Sequence, residues 1–252
     1  MTTVGWGVVG GPGHSMVGGK GGGEKLSPVI VLASRSPRRQ MIFRALGLRF
    51  AAVSSGIEES PWAGEDPEQL VRCLAASKAR AVVEQCRIRS APPWVVGADT
   101  VVVVDGRVFG QPETLDDVRR MMRALAGRTH QVLTAVSIWG GTTEIASFVE
   151  TTAVRFRPIA AADLERYVAE GDWHGKAGAY AIQGAAGAFV EAVEGDVWNV
   201  VGFPVRAFLD RARAAGIPVP EERLARPGLA QLWPSAGDED FGLRRWGPRF
   251  VM

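Results

Sequence analysis

Apolar positions along the chain fall into two alternating kinds of run. Val29-Ile30-Val31-Leu32-Ala33 is uninterrupted, the pattern of a strand buried on both faces. Ser36-Pro37 then offers an N-cap and a proline at the first helical position, and Ile42, Ala45 and Leu46 recur at i, i+3 and i+4 before Gly47, which predicts a helix. A second helix is predicted from about Pro67 to Cys86, and a second buried strand begins at Trp94-Val95-Val96-Gly97-Ala98. That strand continues through Thr100 to Val104, where Asp105-Gly106 reads as a hairpin turn. From Leu115 to Ala126, Val118, Met121, Met122 and Leu125 share one helical face, with Asp116 and Asp117 favourably placed in the first turn and Gly127 after the last. Strands are predicted around Val132–Trp139 and Thr151–Phe156, and helices over Ala161–Glu170 and Pro204–Ala215, closed by Gly171 and Gly216. Strands alternating with helices predict an α/β domain with a mixed sheet. No internal repeat is visible.

Outside this alternation the pattern lapses. The first 23 residues hold ten glycines and one lysine, and segment 1–26 reads as a flexible tail without the basic start and apolar stretch of a signal peptide. Gly5-Trp6-Gly7-Val8-Val9-Gly10 matches a dinucleotide-binding spacing, but no strand leads into it and no helix pattern follows, so it reads as accidental. Segment 218–252, with Pro220, Pro227, Pro234 and Pro248, reads as an irregular extension. The chain's 252 residues are 46% apolar and 22% charged, as in an ordinary globular protein. No window approaches the roughly 18 apolar residues of a membrane helix. With 29 basic against 27 acidic side chains, nucleic-acid binding by counterion release has no footprint. Cys73 and Cys86 lack zinc-type spacing and read as reduced thiols, which implies a cytoplasmic protein.

Candidate chemistry concentrates at the first strand–helix junction. A buried strand feeding a capped helix directs backbone N–H groups and the positive dipole end toward the strand's carboxyl edge. Ser34, Ser36, Arg38 and Arg39 there read either as a phosphate cradle or as a helix start with two solvated arginines. Lys78 breaks the apolar stripe of Val71, Leu74, Ala81 and Val82, so it either snorkels or meets an anion. Asp99 ends the run Trp94–Ala98 beside Gly97, where open α/β sheets bind ligands; the alternative is a pairing with a nearby arginine. Glu58 and Glu59 form an acidic pair. Hard oxygen ligands beside phosphate-binding cations suggest Mg²⁺ or Mn²⁺ and phosphoryl chemistry. Gly175 to Gly184 is dense in small residues around Lys176, Tyr180 and Gln183. It reads as a tight structural loop or as one approaching a ligand, with the Gln183 amide suited to the edge of uracil or thymine. His14, His130 and His174 are scattered and assemble no catalytic constellation.

Taken in order, LASRSPRR at 32–39, EE at 58–59, KA at 78–79, GADTVV at 97–102, GRTHQVLTAV at 127–136, GKAGAYAIQG at 175–184 and GDVWNVVGFP at 195–204 resemble the Maf family of nucleoside triphosphate pyrophosphatases, historically called septum formation inhibitors. The resemblance covers about Ser27 to Gly216 and sets a domain at 27–217 between the two tails. It implies an inosine-triphosphatase-like mixed sheet flanked by helices, two lobes around a nucleotide cleft, and a homodimer. It also implies hydrolysis of a nucleoside triphosphate between the α- and β-phosphates. Asp99 matches the proposed catalytic base; Ser34, Arg38, Arg39 and Lys78 match phosphate-side positions, and Glu58 an acidic, metal-linked one. Arg38, Thr100 and Gln183 look like the branch that prefers dTTP and UTP over 7-methyl-GTP.

One departure matters. The family usually reads Gly-Lys-Pro after the hairpin, and here it is Gly110-Gln111-Pro112, so a phosphate-neutralising lysine is a neutral amide. Thr134-Ala135, where many members have Thr-Gly, is a milder change. The expected mechanism has Mg²⁺ or Mn²⁺, held by Asp99 with Glu58 or Glu59, bridging triphosphate oxygens while Arg38, Arg39, Lys78 and the helix N-terminus neutralise charge. Asp99 as metal ligand and Asp99 as base stay open. Gln111 also keeps open a catalytically weakened, nucleotide-binding regulator of septum formation.

Overall fold

The computed structural model describes residues 30–57, 66–87 and 94–219. The 1–26 segment with its glycine motif, the pair Glu58-Glu59 and all but the first two residues of 218–252 lie outside the described residues. The chain runs β1 (Ile30–Ala33), α1 (Pro37–Ala45), β2 (Phe50–Ala52), α2 (Pro67–Arg87), β3 (Trp94–Val104), β4 (Arg107–Phe109), α3 (Leu115–Leu125), β5 (Thr129–Gly140), β6 (Thr143–Phe156), α4 (Ala161–Glu170), β7 (Val190–Glu194), α5 (Val197–Val201) and α6 (Val205–Ala214). Short 3-10 turns cover Ala177–Ala179 and Ala185–Phe189.

The strands form one seven-stranded mixed sheet in the order β2-β1-β3-β5-β6-β7, with β4 also on β3. β1 lies parallel to β2 and β3, and every other pairing is antiparallel. Alternation along β3 separates two cores. Val96, Ala98, Val102 and Val104 face the larger one, which takes Ile42 and Phe43 of α1, Leu46 just after it, and the apolar sides of α3, α4 and α6. Val95, Val101 and Val103 face α2, which covers the other side through Val71, Ala75, Ala79, Val82 and Val83. Phe43 meets Phe50 and Phe203 edge-on at 5.2 and 5.1 Å, which ties α1 to β2 and to the turn between α5 and α6.

The mixed sheet matches the expectation from the sequence, and the differences have local causes. β6 begins at Thr143 rather than near Thr151; its first half is mostly exposed, with only Phe148 fully buried there. β2, β7 and α5 are three to five residues long and draw their order from neighbours.

β3 changes partner partway along its length. β5 lines one edge from Trp94 to Val103. On the other edge β1 ends its pairing at Gly97, and β4 begins at Val102. Residues 98–101 lie between those two partners, at the carboxyl end of β1. This is a strand-order switch of the kind where α/β sheets bind ligands.

Candidate active site

Gly97 sets the approach of α2. A Cβ there would stand 2.3 Å from the Ala75 carbonyl oxygen and 2.8 Å from the Ala79 nitrogen, so only a residue without a side chain lets the helix rest on β3. Two positions on, Asp99 points to the same side. Lys78 Nζ donates to Asp99 Oδ1, and the two residues are 8% and 5% exposed. Lys78 thus meets an anion, the Asp99 carboxylate, and a lysine stands beside Asp99. Burying both charges is tolerable because each compensates the other; removing one partner from such a pair costs about 3–5 kcal/mol.

The opposite face of β3 is organised by the β1–α1 turn. Ser36 caps α1 by accepting from Arg39 N at 3.4 Å, and Ser34 Oγ accepts from Ser36 N at 3.1 Å. Arg39 is buried. Its Nε donates to Gly202 O at 2.9 Å, its Nη1 to Ala98 O at 2.9 Å and Ser34 Oγ at 3.4 Å, and its Nη2 to Thr100 Oγ1 at 2.9 Å. Thr100 Oγ1 in turn lies 2.9 Å from Thr134 Oγ1. Arg38 is directed elsewhere: its Nη2 donates to Gly175 O at 3.2 Å. Burial lowers the proton affinity of Arg38 and Asp172 partly restores it, but an arginine keeps its charge throughout. Gln111 is exposed and comes to the same point, since a Cβ on Gly175 would lie 3.9 Å from its Oε1.

The 175–184 loop is pinned to the protein. Gly178 N donates to Gly110 O at 2.9 Å, and a Cβ on Gly178 would stand 2.7 Å from Val102 Cγ2. Asp172 is an organiser that the sequence did not mark: Lys176 Nζ donates to its Oδ1, and Ala185 N donates to its Oδ2 at 3.0 Å. Gln183 Oε1 is buried without a hydrogen-bond partner. The structure thus joins Lys78 to Asp99, Ser34 to Arg39 and Thr100, and Arg38 to Gln111 across Gly175.

Among the described residues, no group of three or more His, Cys, Asp or Glu side chains could hold a metal ion. Asp99 Oδ1 is engaged by Lys78, and Glu58 and Glu59, the acidic pair expected to hold a cation with Asp99, lie outside the described residues. His130 belongs to the core, with Nε2 2.8 Å from Tyr180 OH, and burial pushes its pKa down to about 4. His174 stacks on Trp173 with ring centroids 3.6 Å apart. No described helix is long and apolar enough to cross a membrane.

The family description Maf-like protein matches residues 29–215. A protein of Anaeromyxobacter dehalogenans named dTTP/UTP pyrophosphatase is 42% identical over 201 residues, covering 79% of this chain and all of that protein. One of the same name from Chromobacterium violaceum is 44% identical over 179 residues, covering 70% of this chain and 89% of its own. Among solved structures, the Staphylococcus aureus Ham1 protein aligns with a TM-score of 0.35 at 16% identity, over 50% of this chain and 71% of that one. A family match across most of the chain, with relatives above 40% identity covered along most or all of their length, shows that this chain belongs to the family of Maf-like proteins.

Proposed function

We propose that the protein hydrolyses nucleoside triphosphates, dTTP and UTP foremost, to the monophosphate and pyrophosphate. The observation that carries this reading is the Lys78–Asp99 pair in the strand gap, beside the α1 N-terminus and its arginines. The shared name of the relatives supports the pyrimidine preference. A Mg²⁺ or Mn²⁺ ion bound with the triphosphate would supply charge withdrawal from the phosphate oxygens. Asp99 accepts the proton of the water that attacks one phosphorus beside the α–β bridging oxygen, and that bridging P–O bond breaks. Lys78 holds the carboxylate in line. Arg38 and the helix N-terminus neutralise the charge that builds on the leaving phosphate. Thr100 and Gln183, with Arg38, set the base preference; Glu58 and Glu59 would hold the cation. The catalytic unit is residues 27–217, a reading supported by the family match over 29–215, and it acts as a cytoplasmic homodimer.

The test is pyrophosphate release by the full chain with Mg²⁺ or Mn²⁺ across dTTP, UTP, CTP, dATP, GTP and 7-methyl-GTP, beside Asp99→Asn. Turnover should concentrate on dTTP and UTP, and the variant should lose about 10²–10⁴-fold in rate. Asp99→Asn leaves Lys78 facing a neutral amide, so it should melt earlier while keeping its circular dichroism spectrum. A wild type silent on dTTP and UTP overturns the reading, as does near-full activity in Asp99→Asn.

A further inference from the structure

We infer that Arg39 is a positioning residue: its guanidinium takes the place of the absent strand partner at residues 98–101 and so sets Asp99, rather than binding phosphate itself. The inference rests on the pyrophosphatase reading. Arg39 lies three residues before Ile42 and four before Phe43, on the inward face of α1, and is 9% exposed. Two of its bonds grip the residues on either side of Asp99, through Ala98 O and Thr100 Oγ1. A strand held at i−1 and i+1 has little freedom to turn residue i. Two further bonds tie this point to the β1–α1 turn through Ser34 Oγ and to the end of α5 through Gly202 O. Gly202 has φ 119°, a backbone conformation suited to glycine, and it presents its carbonyl to Nε.

Three separate segments therefore converge on one planar group. The fixed fork of a guanidinium can serve such a set, whereas a lysine offers a single point charge. Because Arg39 only donates, it also orients the hydroxyls beyond it. Thr100 Oγ1 accepts from Arg39 and donates to Thr134 Oγ1, which donates to Asn199 O at 3.4 Å. The chain of bonds crosses from β3 through β5 to α5. Arg38, half-buried and bonded to a loop carbonyl, stands on the outer side and takes the phosphate role.

Two readouts test this. The first is hydrogen exchange of arginine Nε–H signals by NMR in the nucleotide-free full chain, with the Arg39 signal assigned by its loss in Arg39→Lys. It should exchange at least about 100-fold more slowly than that of Arg38, reflecting a bond that opens only with the surrounding structure. Comparable exchange overturns the inference. The second is dTTP turnover. Arg39→Lys should lower kcat by about 10²-fold, the cost of a misplacement near 1 Å, and leave KM within about threefold. A ligand of the bound triphosphate alone would instead raise KM tenfold or more with kcat held, and a merely structural residue would lower the melting temperature and change neither; either result overturns the inference, and a ligand of the leaving phosphate is told apart by Arg39 exchange as fast as that of Arg38. Should Arg39→Lys not fold, the Arg39 signal is assigned from Thr100→Val, which keeps the side-chain shape and removes the hydroxyl that receives Arg39. That variant should lower kcat, and Thr100→Ser should restore it; no loss of kcat in Thr100→Val overturns the inference. An inactive wild type overturns the pyrophosphatase reading while the exchange result still stands. Fast Arg39 exchange in an active wild type overturns the inference alone.

Discussion

Gly97→Ala is a small substitution with a large expected effect. The new methyl would stand 2.3 Å from the Ala75 carbonyl oxygen and 2.8 Å from both Cβ and N of Ala79. Restoring ordinary van der Waals separation requires a displacement of about 1 Å. β3 cannot supply it, because Gly97 is paired with Ala33 on one side and Ser137 on the other. α2 must lift instead, and it carries Lys78 away from Asp99. Overpacking of this kind costs about 1–3 kcal/mol, and two of the three obstacles are backbone atoms, which places the cost in the upper half, about 2–3 kcal/mol. For a domain of this size that lowers Tm by about 4–12 °C. The shift of Lys78 should reduce dTTP turnover by about 10²-fold. Calorimetry and pyrophosphate release read the two effects separately. Ala79→Gly added to the variant should rescue only part of each, since it removes the Cβ clash and leaves the Ala75 carbonyl in place. A Gly97→Ala protein with wild-type Tm and wild-type kcat would refute the steric argument.

Burial and charge give two further expected outcomes. Burial holds His130 near pKa 4 in the folded protein, against 6.5 in the open chain, so the unfolded state binds more protons between those values. The stability this contributes is complete above about pH 6.5 and is lost toward pH 4 at about 1.4 kcal/mol per pH unit. Urea melts from pH 7 to 5 should show that slope, and His130→Phe, seated between Phe156 and Tyr180, should flatten it; an unchanged slope would refute the assignment. Gln111→Lys adds a cation at the point where Arg38 meets Gly175, and kcat/KM for dTTP should rise by about tenfold or more, as for a restored electrostatic donor. No rise, or a fall, would show that position 111 does not face developing charge.

The sequence made the double-buried strands and the periodic helices readable because their signal is local. β1, α1 and α3 come with caps and stops in place, and the capping box of Thr114 and Asp117 closes the start of α3. Lys78 betrayed itself by breaking an apolar stripe. The same arithmetic applies to Arg39, which sits three and seven residues before Ile42 and Leu46, so its inward direction was available. Its destination was not, because Gly202 lies 163 positions away and reaches α1 through tertiary packing such as that of Phe43 on Phe203. Asp172 carried no local signal at all. Its role depends on loop closure, which brings Ala185 N to the carboxylate and leaves Gly184 no room for a side chain, since a Cβ there would stand 2.0 Å from Asp172 Oδ2.

A buried carboxylate in the central strand of a seven-stranded sheet runs against stability, since a pair of apolar side chains of similar volume is often as stable as a buried ion pair or more so. Each element around Asp99 works against that penalty in a different way. Gly97 brings α2 close enough for Lys78 to compensate the charge. On the other face, Arg39 occupies the backbone left without a strand partner where β1 stops short of β4. The exchange of parallel for antiparallel partner is what opens this edge, so the topology creates the position and the two cations make it tenable. A carboxylate held from both faces, where the parallel pairing ends, is thereby fixed at the edge that the change of strand partner leaves open.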